Sequence, residues 1–237
     1  MRKAAIGVLF LALYLLGTPA GATSMNVVHA PKDYAGIKAG ILIQRDSMAG
    51  LYAQAGPERR AALIASARKY VLRVIAEDLF PPWMGTPWDF NGISQKPGEG
   101  QIACGYFVTT ILRDAGFGVE RAKLAQQASL KIIRTVTPAA EIRDYGGIDV
   151  PELVRRMAKL PKGLYIVGLD IHTGFIANGE KSVDFIHASY GSPSVVVHEV
   201  ALKSKVLAQS KRFVLGRVDN DEFLRKWLLK QAIPTLL

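Results

Sequence analysis

The spacing of apolar positions changes period near Gly163. Upstream, apolar residues recur three and four apart, the repeat of a helix with one buried face. Ile37 to Tyr52 reads as one such helix, preceded by a loop at Pro31-Lys32-Asp33-Tyr34. Gly56-Pro57-Glu58 opens the next, because proline suits the first helical position and an acid suits the first turn. Leu63, Tyr70, Val71, Val74 and Ile75 share its apolar face, and Pro81-Pro82 is read as its end. Residues 83–103 form a loop rich in Trp, Gly and Pro. A further helix is predicted from Cys104 to a stop at Gly116. Residues 119–160 read as helical pieces, the last opened by Asp149-Val150-Pro151-Glu152 and closed by Pro161-Lys162-Gly163.

Downstream of Gly163 the period is two. Leu164–Leu169, Ile171–Ala177 and Val183–His187 read as strands, with Val195–Val197 and Phe213–Val218 as further candidates. Asn178-Gly179 between the second and third is a hairpin signal. Ala201–Gln209 and Glu222–Gln231 read as helices. Helices first and then a mostly antiparallel sheet predict an α+β fold.

The N-terminus changes the expected compartment. Arg2 and Lys3 precede an uncharged apolar run from Ala4 to Leu16, followed by the small-residue pattern Ala20-Gly21-Ala22. This is the grammar of a signal peptide cleaved near Ala22, with an uncleaved anchor as the alternative. The apolar run falls short of the roughly 20 residues of a membrane span, so no stable span is expected after cleavage. With no cysteine after the cleavage site until Cys104, a lipoprotein anchor is not expected. The domain reading is a signal peptide at 1–22, a helical extension at 23–82 and a main domain at 83–237, in a periplasmic or secreted protein.

The chain carries 30 Lys+Arg against 20 Asp+Glu, a formal net charge of +10. A basic exported protein suits polyanionic surroundings such as cell wall or an anionic membrane face. Nucleic acid is not an expected partner, because the basic residues are dispersed and follow no zinc-finger or RNP spacing. Nothing in the pattern sets an oligomeric state.

The candidate chemistry centres on the one cysteine, Cys104, where a glycine-rich stretch runs into an apolar helix. The N–H groups of a first helical turn lack intrahelical partners and carry partial positive charge. A thiol placed there is expected to lose its proton more readily, and the thiolate is the nucleophile. The alternative is a buried cysteine acting as a small hydrophobe. His172 and His187 lie in the predicted hairpin. A four-residue loop from Asn178 to Lys181 sets them opposite each other. A two-residue loop makes His172 face Phe185, with His187 its diagonal neighbour. Either register puts both imidazoles on one side of the sheet, where a helix carrying Cys104 is expected to pack. His172 then suits a base and His187 the group that orients it. Asp170 and Asp184 flank the hairpin as alternative orienters. The N–H of Cys104 is the natural donor to an oxyanion. Cys104, His172 and His187 as three zinc ligands is a further alternative, but no close-spaced ligand pair such as H-E-x-x-H or C-x-x-C is present. No metal or other cofactor is expected, and His29 and His198 have no supporting context.

Cys104-Gly105-Tyr106-Phe107-Val108 resembles the Asp-Cys-Ser-Gly-Phe-Val signature of NlpC-like cell-wall cysteine peptidases. Trp88-Asp89-Phe90-Asn91-Gly92 resembles the aromatic-x-Trp-Gly-Gly element that precedes it. His172-Thr173-Gly174-Phe175-Ile176 resembles His-Val-Gly-Ile-Tyr, and Phe185-Ile186-His187-Ala188-Ser189 resembles Phe-Ile-His-Ala-Ser. The resemblance spans roughly residues 86–190 in the same order. The chain departs from the pattern at Ala103, at Gly105-Tyr106 and at Trp88, where a tyrosine is usual. The resemblance implies a papain-like core, a nucleophile-bearing helix packed on an antiparallel sheet. It implies Cys104 as nucleophile, His172 as base and His187 as third polar residue, acting on peptide or amide bonds of peptidoglycan. Trp88, Asp89 and Tyr106 are the candidate substrate-binding residues. A non-catalytic wall- or partner-binding module on the same fold and a thiol-dependent acyltransferase are the alternatives.

Overall fold

A computed structural model describes residues 33–236. The signal-peptide reading of residues 1–22 and His29 lie outside the described residues. Asp33 caps the first helix, α1 (Tyr34–Ala53), by accepting from the N–H of Gly36. Helix α2 (Pro57–Arg73) opens on its proline, as the sequence predicts. The chain does not stop at Pro81-Pro82. It widens into a π-helical turn over Val74–Leu79 and tightens again into α3 (Phe80–Trp83). The prolines are accepted because they lie in the opening turn of α3, where a missing N–H leaves no helical bond unmade.

The loop at 84–103 is tied down at several points. Gly85 donates to Val196, Trp88 to Ser194, Ile102 to Pro87 and Ala103 to Gly92 through main-chain N–H groups. Gly92 allows this doubling back, since a Cβ there would lie 2.5 Å from the nitrogen of Ile102. The loop delivers the chain to α4 (Cys104–Asp114). That helix ends as expected at Gly116, whose φ of 92° is left-handed.

Next come a short strand β1 (Gly118–Val119), helices α5 (Arg121–Ala125) and α6 (Ser129–Val136), strand β2 (Arg143–Gly146) and α7 (Val150–Ala158). Alternation does not predict β2, because Tyr145 is its one large apolar residue. The strands β3 (Gly163–Gly168), β4 (Thr173–Asn178), β5 (Val183–Ala188) and β6 (Val196–Val200) follow, then α8 (Lys205–Ala208), β7 (Arg212–Arg217), α9 (Asp221–Leu228) and β8 (Ala232–Ile233). The main sheet has six strands in the order β2-β7-β3-β4-β5-β6, with antiparallel neighbours throughout. β1 and β8 form a separate parallel pair. The fold is α+β, as expected.

The central strands β7, β3, β4 and β5 are buried on both faces, which is why they carry more apolar residues than strict alternation requires. On one face Phe107 of α4 packs against Phe175 with ring centroids 6.1 Å apart, among Ile166, Ile186 and Ala188. This core runs on without a break into Ile41, Tyr52, Ile64 and Val71 of the first two helices and Phe223 and Trp227 of α9. The N-terminal helices are thus part of the main core from Tyr34 onward. On the other face Val167, Ile176, Phe185 and Phe213 pack under Leu153 and Met157 of α7 and Leu207 of α8.

Candidate active site

Cys104 is the first residue of α4, after Ala103 in extended conformation (φ −79°, ψ 158°) and with no side-chain cap. The opening N–H groups of the helix therefore remain free to meet other acceptors. Cys104 as a residue is half-buried. Cys104, Gly105, Ala125, Ala128, His172 and Thr173 are among the residues lining one cleft of about 260 Å³.

His172 sits in the turn Leu169–His172 that joins β3 to β4, just before the first paired residue, Thr173. His187 is on β5. The β4–β5 loop has four residues, but it runs from Gly179 to Ser182, one step later than predicted, because Asn178 pairs with Val183. Asn178 stays in the strand for a physical reason. Its buried side-chain amide donates to the carbonyls of Met157, Leu160 and Pro161, tying the end of β4 to the end of α7. Continuing this register sets His187 beside Gly174 and makes His172 its diagonal neighbour. A Cβ on Gly174 would lie 2.7 Å from the Cβ of His187, so glycine makes room for that ring. His172 Nε2 then lies 2.9 Å from His187 Nδ1.

Both imidazoles belong to one side of the sheet, as parity predicts, but it is not the side that carries α4. Residues at the parity of Phe175 and Ile186 face α4, while Ile176 and Phe185 face α7 and α8. Phe185 stacks on His187 with ring centroids 3.9 Å apart, placing the histidine on this second face. Cys104 and His172 meet instead at the end of the sheet, where the β3–β4 turn and the start of α4 border the same cleft.

The polar chain continues past His187. Its Nε2 lies 3.2 Å from Glu199 Oε1 on β6, diagonal to His187 because Phe185 pairs with Glu199 and His187 with Val197. Sequence reasoning passed over Glu199, whose only signal is its alternation with Val197. Tyr190 is a second residue it missed. Its ring stands against His172 at 5.1 Å between centroids, and its hydroxyl donates to Gln209. Asp170 and Asp184, the alternative orienters, are engaged elsewhere. Asp170 accepts from the N–H of Lys211, and Asp184 accepts from Ser182 with His198 3.5 Å away.

The protonation states follow from burial. His172 is only 4% exposed and His187 fully buried. Burial, with the neighbouring charge of His187 adding to it, pushes His172 down to about 3. Burial also lowers His187, against the pull of Glu199. The hydrogen bond from His187 holds Glu199 below the usual carboxylate range. At neutral pH both rings are therefore neutral and Glu199 is ionised. The Cys104 thiol also departs from expectation. Burial raises it, outweighing the backbone N–H groups of Thr173, Gly105 and Cys104 that favour the thiolate. The resting site is a neutral thiol and a neutral imidazole lining one cleft.

Of the remaining candidates, Trp88 does not line the cleft but packs against Tyr190. Its ring is 6.2 Å from that of Tyr190, and its buried Nε1 has no hydrogen-bond partner among the described residues. Asp89 and Tyr106 do not line the cleft. Asp89 accepts from the N–H of Asn91 and shapes the loop. Tyr106 packs under Arg121, with its hydroxyl accepting from Gln126. No group of three or more His, Cys, Asp and Glu side chains is arranged to hold a metal ion among the described residues. No helix among them is long and apolar enough to cross a membrane.

Comparison with protein-family models, with curated proteins and with solved structures found no match.

Proposed function

We infer that the protein is an exported cysteine amidase or peptidase with a papain-like core, hydrolysing peptide or amide bonds through a thioester acyl-enzyme. The observation that carries the reading is the cleft shared by Cys104 and His172, with His172 Nε2 2.9 Å from His187 Nδ1. A nucleophile, a base and a third polar group that holds the base are the three parts such chemistry needs.

In this reading His172 takes the thiol proton as the sulfur attacks the substrate carbonyl. The carbonyl electrons move onto oxygen, where the N–H of Cys104 supplies one donor. The imidazolium then gives its proton to the leaving amine, and the C–N bond breaks to leave a thioester. Water, deprotonated by the same ring, attacks the thioester; the acid leaves and the thiol is restored. A neutral thiol and imidazole suit proton transfer in step with attack, rather than a standing ion pair. The +10 charge and the resemblance of the motifs around Cys104, His172 and His187 to NlpC-like enzymes favour stem peptides of peptidoglycan as the substrate.

The test is product analysis with defined cell-wall fragments and the Cys104→Ala variant. The expected outcome is a new amine and a new carboxylate from the unsubstituted protein and a loss of about 10⁴-fold or more in the variant. Transfer of the acyl group to an added amine would indicate an acyltransferase. Tight fragment binding without turnover in either protein would indicate a binding module.

A further inference from the structure

The three polar side chains behind Cys104 carry a directional constraint. An ionised carboxylate accepts hydrogen bonds and donates none. A neutral imidazole has one N–H and one bare nitrogen. Glu199 Oε1 is 3.2 Å from His187 Nε2, so the proton of His187 is on Nε2 and its Nδ1 is bare. That bare Nδ1 is 2.9 Å from His172 Nε2, so the proton of His172 is on Nε2. His172 Nδ1 is left without a proton, and it makes no hydrogen bond among the described residues.

We propose that Glu199 is a positioning residue that, through His187, locks His172 in the tautomer whose Nδ1, the ring nitrogen that His187 does not engage, is bare and free to take the thiol proton. The proposal rests on the reading of Cys104 as nucleophile and His172 as base. Without the carboxylate, the pair has a second arrangement, with His187 donating from Nδ1 to His172 Nε2. His172 would then carry its proton on Nδ1, where it could not take one from sulfur. With the carboxylate in place, that arrangement turns a bare Nε2 of His187 toward Glu199, lone pair against negative charge. Two neutral histidines alone have no preference for direction; the acid at the far end supplies it.

The surroundings fit this role. Burial keeps both rings neutral, so the one-proton rule applies to each. His187 is the one basic side chain within 4 Å of the Glu199 carboxylate among the described residues, although Lys203 and Lys205 line the neighbouring cleft of about 280 Å³. When His172 becomes cationic during the reaction, the same carboxylate lies two hydrogen bonds away as its counter-charge. Glu199 does not line the cleft that holds Cys104, so its removal is expected to act on rate and not on substrate binding.

The direct test is nitrogen-15 NMR of the histidine side chains in the full chain at neutral pH, which reads the tautomers without any substrate. We expect Nε2–H and bare Nδ1 for both His172 and His187. In Glu199→Gln, where the amide donates as well as accepts, a mixture of tautomers is expected. With it kcat should fall about 10- to 100-fold, KM should stay unchanged and the melting temperature should stay close to that of the parent. A proton on Nδ1 of His172 in the unsubstituted protein would overturn the proposal. So would a Glu199→Gln protein with unaltered tautomers and full kcat. The two readings fail separately: full turnover by Cys104→Ala removes the nucleophile assignment and leaves the tautomer measurement standing on its own.

Discussion

Helix α4 has a buried polar cluster near each end, and the two differ in whether their hydrogen bonds close. At the C-terminal end, Trp83 Nε1 donates to the hydroxyl of Tyr34, which donates to Asp114, which also accepts from Arg113. Every polar group of this cluster has a partner within it. At the N-terminal end, Glu199, His187 and His172 form a chain of similar length, but it stops at His172, which lines the cleft of Cys104. Buried polar groups are costly unless paired, so a fully paired cluster is what stability alone produces. A chain with a free end leaves a site for something else to occupy. The open valence, more than burial or pKa shift, separates a site for chemistry from a structural network.

Substitution at the two ends is expected to give opposite signatures. His172→Ala removes the base and should cut kcat about 10³-fold or more while leaving the melting temperature nearly unchanged. Asp114→Ala strands the hydroxyl of Tyr34 and one face of Arg113. It should cost about 2–3 kcal/mol in denaturant unfolding, with kcat per folded molecule unaltered. Asp114→Ala protein that stays folded but loses turnover would collapse the distinction.

Acid sharpens the comparison, because only one end carries histidine. The base must be neutral to work, and His172 is pushed down to about 3. Turnover per folded molecule should therefore hold as pH falls from 7 to 5 and decline only on approach to that value. Stability behaves differently. The folded-state value lies below the unfolded one of about 6.5, so the unfolded chain binds more protons in between. Stability is fully present above about 6.5 and is lost as pH falls toward 3, by at most about 1.4 kcal/mol per pH unit for this group. Melting curves and initial rates over this range check both limbs.

Smaller effects test the fittings of the open chain. Gly174→Ala places a methyl 2.7 Å from the Cβ of His187 and should tilt that ring, lowering kcat about tenfold with KM little changed. Trp88→Phe removes an N–H that has no partner among the described residues. It is expected to raise stability by up to about 1 kcal/mol and leave rates alone. A clear loss of kcat in Trp88→Phe would instead assign that N–H to the reacting oxygen.

The legible parts of the molecule were those fixed by local rules. Period and capping located α2, α4, α7 and the strands around His172 and His187, and parity alone placed both histidines on one side. What needed distant partners was not legible. Asn178 looks like a turn residue until the carbonyls at the end of α7 claim its amide. Glu199 joins the site only through the pairing of β5 with β6, beyond the reach of one strand's pattern. The helix start at Cys104 suggested an acidic thiol, but the sign of the shift is set by how deeply the sulfur is packed, a property of the assembled core. The face on which α4 lies was misjudged for a related reason. Phe175 and Ile186, not the histidine positions, offer it an apolar surface.

Part of the cleft that holds Cys104 is lined by main chain and the smallest side chains. Gly105 approaches the carbonyl of Ala125 so closely that any added carbon would have to displace α5, and Ala125 and Ala128 line the same opening. Such a wall has nothing to trim. Laboratory evolution at Ala125 and Ala128 has one direction open to it, toward a narrower mouth and smaller acyl groups, and at Gly105 it has none; broader selectivity would have to come from elsewhere in the lining, such as the exposed Ile171.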